Sequence, residues 1–433
     1  MSDQPIVIAA VPATAPREAA RTRVRARTGN AWVWLALLTC AVVCAVFVAL
    51  PVGLLHPFRP QSALEVSLAY EMRRVSPWLT LAGAATTVLC VVRLLRGIRR
   101  RWSYVPLVLL VAVVGGAAWF ARQNHFEWMF EPLRTESFAA ADQALFMEAS
   151  DMVLAADTGT DAVAYPVRQL AYHHLVPDAI GGTPVVATYC TLCHTGLVWE
   201  RTLDGRVLTF RLYGINNQNM LMRDEETGSW WQQATGEAIQ GPLKGRRLVP
   251  FLHSEVTFAV FRREHPGGRV LRPAAEYQSS YARANWERRM KRTPTVTPRA
   301  ADDEIDPRTH VLGVELGRRA RAYPFPAIRR GGPVNDVVAG VPIAVVVGDD
   351  RKSVRVFERT VDGLRLELAA RTGVKPLAMV DLETGSEWDF AGVATSGPLA
   401  GRRLRRLIGS KQYWFDWKLQ RPHTTVYTRS IDG

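Results

Sequence analysis

Two stretches of this 433-residue chain are near copies of each other, and this internal repeat limits what the chain can fold into. Residues 163–166 (Val-Ala-Tyr-Pro) match residues 321–324 (Arg-Ala-Tyr-Pro), and the similarity continues for about a hundred residues, the length of one small domain. Further along, Trp231 matches Trp388. The sequence therefore predicts one structural unit that is built twice.

The two copies differ in one cluster of polar residues. Cys190 and Cys193 of the first copy fall on Gly348 and Arg351 of the second. The other replaced positions are His173 (Gly331), His174 (Gly332), His194 (Lys352), Asn217 (Val374) and Asn219 (Pro376). Because the second copy keeps the turns and the tryptophan but loses these donors and ligands, the cluster in the first copy is the candidate functional site.

The first part of the chain has the composition of a membrane region. Residues 31–55 are uncharged, and at 1.5 Å per residue they are long enough to cross the hydrocarbon core of a bilayer. Shorter apolar runs at residues 78–95 and 104–121 predict two more spans within the region 31–121. The first run lacks a small-residue cleavage site, so we interpret it as a retained anchor that follows a basic tail, residues 1–30.

Arginines beside the predicted spans set their orientation. They cluster in the tail, at Arg17, Arg21, Arg23, Arg25 and Arg27, and between the second and third spans, at Arg96, Arg99, Arg100 and Arg101. Such clusters face the cytoplasm. We therefore expect a multi-pass membrane protein with a cytoplasmic N-terminus and everything after residue 121 on the far, periplasmic or extracellular, side.

The formal net charge of +14 is largely explained by this topology. The first 121 residues hold 13 arginines and four acids, which account for +9 of that charge. Arginines at the ends of spans favour the lipid bilayer as a partner and argue against nucleic acid. The basic segment 286–292 is predicted to be a solvated part of a linker, because no stacking aromatics are interleaved in it.

The globular part divides into a connector (122–150), a first repeat (151–271), a linker (272–308) and a second repeat (309–433). Apolar runs such as residues 185–189 and 343–347 predict strands, with Asp204-Gly205 and Asp362-Gly363 as hairpin turns. Helical pattern is limited to residues 165–173 and 258–265. We expect an α+β or mainly β unit, duplicated, whose two halves pack together.

The Cys190-x-x-Cys193 spacing places two sulfurs within reach of one metal ion or of each other. With His173, and with or without His194, the pair would supply three or four nitrogen and sulfur ligands, a set suited to zinc or copper(I). The pair alone could instead be a thiol-disulfide redox couple or a structural disulfide. Cys40, Cys44 and Cys90 lie in the spans and are interpreted as small apolar residues.

The residue after the second cysteine adds a further alternative. Cys190-x-x-Cys193-His194 fits the pattern of covalent c-type haem attachment, for which Met220, Met222 or His173 could supply a second axial ligand. Polar and aromatic neighbours could hydrogen-bond a bound oxyanion or orient a ligand imidazole. These neighbours are Tyr189, Asn217, Asn219 and Trp231. For Asn217 and Asn219, spaced so as to share one face of a strand, turn chemistry is the alternative.

Several of these strings together resemble a known bacterial family. They are Tyr172-His173, the run from Asp178 to Cys193 that ends in Thr-Tyr-Cys-Thr-Leu-Cys, Asn217-Gln218-Asn219, and the run from Asp224 to Trp231. The chain is similar over nearly all of residues 151–433 to the bacterial family of domain of unknown function 3179, and this resemblance implies that the membrane is the inner (cell) membrane of a bacterium. Its members carry Trp-His-Glu and Thr-Tyr-Cys-Pro-Leu-Cys-Gly, so this chain departs at Tyr172, His174, Thr191 and His194.

The usual glycine at the position of His194 makes haem attachment less favoured, and the resemblance implies no activity. The first hypothesis is therefore a membrane-anchored protein that binds a soft metal ion through Cys190, Cys193 and His173. The alternatives are a thiol-disulfide oxidoreductase, haem attachment and a non-catalytic binding module with a small ligand or protein partner.

Overall fold

The computed structural model describes residues 16–97, 100–133, 136–283, 285–296, 305–329, 332–371 and 377–428, with only the backbone described for residues 16–30. Gly331, Val374 and Pro376, the counterparts of three predicted site residues, lie outside this range, as does Arg99. Internal contacts divide the chain into two units. One comprises Met1–Leu54 and Ser67–Gln123, and the other comprises Leu55–Val66 and Asn124–Gly433.

Three long helices form most of the first unit: α1 (Pro16–Leu54), α2 (Ala63–Leu95) and α3 (Tyr104–Phe120). Within the described residues, three segments are long and apolar enough to cross a membrane: Ala31–Leu54, Ala63–Leu95 and Arg101–Phe120. These segments confirm the three predicted apolar helices.

Helix α2 begins well before the predicted span at residue 78. Its start is fixed by a capping box, in which the Glu65 amide donates to the Ser62 hydroxyl (3.3 Å) and the Ser62 amide donates to the Glu65 carboxylate (2.7 Å). Pro77 lies inside the helix and cannot donate to the Arg73 carbonyl, which instead accepts the Ser76 hydroxyl at 3.2 Å. Residues 63–77 are therefore helical and extend α2 ahead of the predicted span.

The second unit is rich in strands. The elements up to the end of the first repeat are β1 (Phe138–Ala140), β2 (Met152–Asp157), β3 (Ala162–Pro166), α4 (Val167–His173), β4 (Leu175–Ile180), β5 (Thr183–Cys190), β6 (Thr195–Glu200), β7 (Thr202–Leu203), β8 (Arg206–Val207), β9 (Phe210–Asn216), β10 (Asn219–Asp224), β11 (Trp230–Gln232), β12 (Glu237–Gln240), β13 (His253–Thr257), α5 (Phe258–Glu264) and β14 (Arg269–Leu271). Helices α4 and α5 occur where the sequence predicts them.

The second repeat follows the same order after a short linker helix, α6. The elements are α6 (Trp286–Met290), β15 (His310–Leu316), β16 (Arg319–Pro324), α7 (Phe325–Ile328), β17 (Val334–Val338), β18 (Val341–Val347), β19 (Val354–Glu358), β20 (Thr360–Val361), β21 (Leu364–Arg365), β22 (Leu368–Ala370), β23 (Ala378–Asp381), β24 (Glu387–Asp389), β25 (Ala394–Ser396), β26 (Arg405–Leu407), β27 (Ser410–Tyr413), α8 (Trp414–Gln420) and β28 (Thr425–Val426).

Each repeat forms small sheets in the same arrangement. In the first, the strand orders are β1-β14-β3-β2-β13, β4-β5-β6, β7-β8 and β12-β11-β10-β9. In the second, they are β27-β15-β16-β28, β17-β18-β19-β26, β20-β21 and β22-β23-β24-β25. The predicted α+β class and the internal duplication are confirmed.

Equivalent hydrogen bonds recur in the two repeats. The Tyr165 hydroxyl donates to Asp178 at 2.7 Å, and the Tyr323 hydroxyl donates to Asp336 at 2.8 Å. Because burial and these carboxylates raise the pKa of both phenols, both stay protonated and hold the strands after α4 and α7. The repeat is thus preserved at the level of individual side chains.

Strands β13 and β27 pack across the interface between the two repeats, while each stays hydrogen-bonded to a strand of its own repeat. Strand β13 packs against β19 of the second repeat, and β27 packs against β6 of the first. One hydrophobic cluster contains residues from both halves, among them Phe258, Phe261, Phe357 and Trp388, all at most 1% exposed. This shared core is how sheets without long covering helices bury their apolar faces.

Candidate functional site

The two cysteines lie at a hairpin turn between β5 and β6. Cys190 is the last residue of β5 and pairs with Thr195, the first residue of β6, so Cys193 lies in the turn between them. His194 closes the turn with φ of 55°, the left-handed region. Both cysteines are buried free thiols, with Cys190 4% exposed and Cys193 fully covered.

Polar groups surround both sulfur atoms. The Cys190 thiol donates to the Gln218 carbonyl at 3.4 Å, and the Asn219 amide nitrogen lies 3.1 Å from the Cys193 sulfur. Burial raises the pKa of the Cys193 thiol well above its usual range, and contact with Cys190 and the charge of Asp416 add to the rise. At neutral pH Cys193 is therefore a thiol and needs a base before it can react.

A carboxylate from the second repeat completes this environment. Asp416 of α8 is fully buried and accepts hydrogen bonds from the Thr195 hydroxyl and the Asn219 amide, both at 3.1 Å. Burial raises the pKa of Asp416 to about 6, and these hydrogen bonds limit the rise. Asp416 is thus ionised at pH 7 yet close to the point of protonation, as a general base should be.

Asn219 is held in one orientation by its neighbours. Its side-chain oxygen accepts the Gln232 amide at 2.5 Å and the Ala234 backbone amide at 3.2 Å. Its nitrogen therefore faces three acceptors, which are the Cys193 sulfur, the Asp416 carboxylate and, at 3.2 Å, the Gln233 side-chain oxygen. This geometry lets a single amide contact the thiol and the carboxylate at once.

Asn217 points elsewhere, contrary to the expectation that it shares a strand face with Asn219. Asn217 and Gln218 form the turn between β9 and β10 with φ of 48° and 68°, so the alternation of a strand is interrupted there. Asn217 exchanges three hydrogen bonds of 2.9–3.0 Å with Gln61. It therefore fixes the turn whose Gln218 carbonyl covers Cys190.

Neither His173 nor His174 contacts the cysteines. The two ring nitrogens of His173 lie 2.7 Å from the Glu131 carbonyl and 3.1 Å from the Tyr281 hydroxyl. The His174 ring nitrogen Nδ1 lies 2.7 Å from the Tyr189 carbonyl, and burial lowers the pKa of His174 to about 4. Both imidazoles thus position backbone segments around the site.

His194 lies in an aromatic environment formed partly by the linker. Its Nδ1 is 3.0 Å from the Tyr189 hydroxyl, and its ring stacks on Trp286 with centroids 5.5 Å apart. The ring of His310 is 4.4 Å away, and Glu287 lies 3.5 Å from Nε2. The Glu287 pKa is lowered to about 2, chiefly by His194.

The predicted metal ligands are not assembled in this structure. Among the described residues, no group of three or more His, Cys, Asp and Glu side chains is placed to hold a metal ion. His173 is engaged by Glu131 and Tyr281, and the ring of His194 is packed against Trp286 and His310. Zinc or copper binding and haem attachment therefore stay predictions, because none of the described residues supplies a third ligand beside the two sulfurs.

Trp231, predicted to orient a ligand, has an architectural contact. Its indole nitrogen donates to Asp224 at 2.8 Å, and the equivalent Trp388 donates to Asp381 at the same distance. Because the second repeat has the same bond without any thiols, the bond belongs to the shared scaffold.

Three residues near the cysteines were missed by sequence reasoning because only losses from the second copy were considered. Helices α5 and α8 match from their first residues, so Asp416 corresponds to Val260, an apolar residue. His310 likewise corresponds to Met152 at the start of the matching strand. Arg308, which precedes the second repeat, donates to the Leu192 carbonyl between the two cysteines. A search for polar residues gained by the second copy would have found Asp416 and His310.

Comparison with protein-family models tests the family resemblance that the sequence motifs indicated. Residues 132–424 match the family model described as Protein of unknown function (DUF3179). The chain belongs to this family. The range that matches DUF3179 covers the first repeat and the second repeat as far as residue 424, and it includes the cysteine pair and Asp416. Comparison with curated proteins and with solved structures gives no match.

Proposed function

We propose that this DUF3179 protein is a membrane-anchored thiol-disulfide oxidoreductase with Cys190 and Cys193 as its redox couple. The observation that carries the proposal is the buried carboxylate of Asp416, which shares the Asn219 amide with the Cys193 sulfur. A buried acid costs stability unless it is compensated. Asp416 lies beside Cys190 and Cys193, the only two cysteines in the sequence that are separated by two residues, and this position supports a role in proton transfer.

Each cysteine has a distinct task in the reaction. Cys190, the less buried thiol, attacks one sulfur of an external disulfide, whose S–S bond breaks and whose first half leaves as a thiol. Cys193 then attacks the Cys190 sulfur, the intramolecular S–S bond forms, and the second half leaves. Two electrons pass to the external disulfide, and the two cysteine protons end on the two released thiols.

Asp416 is the proton acceptor for the second step. The Cys193 thiol must lose its proton to attack, although burial raises its pKa. Asp416 is ionised above about pH 6 and takes that proton, then gives it to the leaving thiolate. Asn219 donates to both groups and holds them at a fixed separation.

The membrane region supports a compartment in which such a couple can cycle. Three apolar helices precede the strand-rich unit, and the arginine clusters favour a cytoplasmic N-terminus. The cysteine pair would then lie on the periplasmic or extracellular side, where disulfides form and persist.

The test is a redox titration of the full chain in detergent micelles. The protein is equilibrated in thiol-disulfide buffers of graded potential, free thiols are trapped by alkylation, and the mass is measured. One two-electron transition with a Cys190–Cys193 disulfide is expected. Cys190→Ser and Cys193→Ser should abolish it, and the matched control Cys90→Ser, in a membrane helix, should retain it.

Two results would overturn the proposal. The pair could stay reduced at every potential, which would leave a non-catalytic binding module. Alternatively, elemental analysis of the untreated protein could find a stoichiometric zinc or copper ion that Cys190→Ser releases. The second result would support the soft-metal hypothesis instead.

A further inference from the structure

A pocket of about 350 Å³ is lined by residues of the linker and the second repeat, and one of them, Arg308, donates a hydrogen bond to Leu192 of the cysteine turn. Its walls include Lys291, Asp306, Arg308, His310, Phe325 and Arg329. A volume of this size suits a small organic molecule. None of the activities considered above makes use of this pocket.

The charges around the pocket favour an anion. Three cationic side chains and one carboxylate line the pocket, and that carboxylate, Asp306, already accepts the backbone amide of Arg308 at 2.8 Å. Within the described ranges, Lys291 and Arg329 have no carboxylate within ion-pair distance. Like charges gathered in one concave site raise the local concentration of a ligand of opposite charge.

Arg308 connects this pocket to the thiols. It is 8% exposed, lines the pocket, and donates to the Leu192 carbonyl between the cysteines and to the Thr293 carbonyl at 3.1 Å. Its guanidinium also lies over the rings of Tyr413 and Phe415, at 5.1 and 4.9 Å. One side chain therefore touches the pocket, the cysteine turn and the linker that covers it.

The linker also contacts the turn above Cys190. The Gln218 side chain donates to the Pro294 carbonyl at 2.9 Å and accepts the Val296 amide at 3.3 Å. A carboxylate bound by Arg308 would compete with the hydrogen bonds to Leu192 and Thr293, because a guanidinium prefers a charged acceptor to a neutral carbonyl. Ligand binding would thus loosen the contacts that bury the cysteine pair.

We infer that the pocket binds the carboxylate of an anionic disulfide and that such disulfides are the substrate class of the Cys190/Cys193 couple. This inference rests on the proposed oxidoreductase function. The carboxylate lies against Lys291, Arg308 and Arg329, and the disulfide bond is presented to Cys190. Electrons and protons move as in the exchange described above, so the ligand leaves as two thiols.

Three small disulfides of similar size and different charge test the inference. They are dithiodiglycolate (anionic), bis(2-hydroxyethyl) disulfide (neutral) and cystamine (cationic). Oxidation of the reduced full chain is followed by alkylation and mass at an ionic strength of about 0.01 M. The anionic reagent is expected to react about tenfold faster than the neutral one, the cationic reagent is expected to be slowest, and the preference should shrink at about 0.15 M.

Substitutions of exposed residues test whether this pocket causes the preference for the anionic disulfide. Lys291→Gln with Arg329→Gln should reduce the ratio of anionic to neutral rates severalfold. Lys244→Gln with Arg318→Gln removes the same charge from exposed positions elsewhere and should keep the wild-type ratio. Equal rates for all three disulfides, or equal loss of the ratio in both double variants, would overturn the inference. If none of the disulfides oxidises the pair, the oxidoreductase function itself fails.

Discussion

The carboxylate of Asp416 accepts the hydroxyl of Thr195 at 3.1 Å although 221 residues separate them in the chain. Thr195 begins the strand after the cysteine turn, and Asp416 lies on the last helix of the second repeat. The site of the first repeat is therefore completed by the second. Neither repeat alone holds both the thiols and the buried acid.

The pH dependence of stability should change when Asp416 is replaced by asparagine. The Asp416 pKa is about 6 in the folded chain against roughly 4 for an unfolded carboxyl, so the folded state binds this proton more tightly. The contribution of Asp416 to the free energy of unfolding therefore falls by about 3 kcal/mol in all as the pH rises from about 4 to about 6. Asp416→Asn should gain that amount relative to wild type between pH 4 and pH 7, measured by denaturant unfolding in detergent.

The exposed acid Asp142 supplies the matched control for this experiment. Asp142→Asn should follow the wild-type pH curve within about 0.5 kcal/mol. Parallel curves for wild type and Asp416→Asn would show that Asp416 has an ordinary pKa, and would remove the argument for its role as a base.

Truncation of Trp286 should strongly destabilise the second unit. The sequence suggested a solvated segment here, but Trp286 is 9% exposed, packs in the core of the first repeat and stacks on His194. Trp286→Ala should cost about 3 kcal/mol or more in the free energy of unfolding, because it empties a large buried volume. Arg288→Ala, an exposed position on the same helix, should change it by no more than about 0.5 kcal/mol. Similar values for the two variants would contradict this packing.

Loss of Gln61 should make Cys190 more reactive. Gln61 and Asn217 exchange three hydrogen bonds that fix the turn above Cys190. Gln61→Ala removes the one of these bonds that uses the Gln61 side chain, in which Oε1 accepts the Asn217 backbone amide. At about 1 kcal/mol for a net hydrogen bond, this loss should raise the population of the open turn about fivefold. Cys190 should then be alkylated correspondingly faster, while the exposed control Gln143→Ala keeps the wild-type rate. An unchanged rate in Gln61→Ala would mean that this turn does not limit access.

Trp231→Phe and Trp388→Phe should have equal effects on stability. Each removes an indole donor 2.8 Å from a buried carboxylate, Asp224 or Asp381, at a cost of about 1–3 kcal/mol. Denaturant unfolding measures this cost, and the redox titration measures any effect on the thiols. A shifted redox midpoint in Trp231→Phe, but not in Trp388→Phe, would show that Trp231 acts on the site after all.

Local patterns in the sequence were enough for much of the fold. The long apolar runs predicted three long helices, and the short apolar runs at residues 185–189 and 343–347 predicted strands that the structure contains. These features depend on neighbouring residues, whose side-chain periodicity matches that of a helix or strand. The start of α2 at Ala63 was missed because its capping box lies in a polar segment that resembles a loop.

The surroundings of the two cysteines were predicted only in part. The asymmetry between the repeats singled out Cys190, Cys193 and Asn219, which the structure brings together. It also singled out His173, whose nitrogens are instead 2.7 Å from the Glu131 carbonyl and 3.1 Å from the Tyr281 hydroxyl. A residue type shows which ligands a side chain can offer, but not the direction in which it points.

By itself the sequence determined the duplication, the apolar helices and the position of the cysteine pair, because each of these features depends on the order of neighbouring residues along the chain. Only the tertiary structure decided which groups surround the sulfur atoms. The packing of β27 of the second repeat against β6 of the first places α8, which follows β27 in the chain, and with it Asp416, beside the cysteine turn. That placement follows from how two similar surfaces bury their apolar faces against each other, which no local pattern encodes.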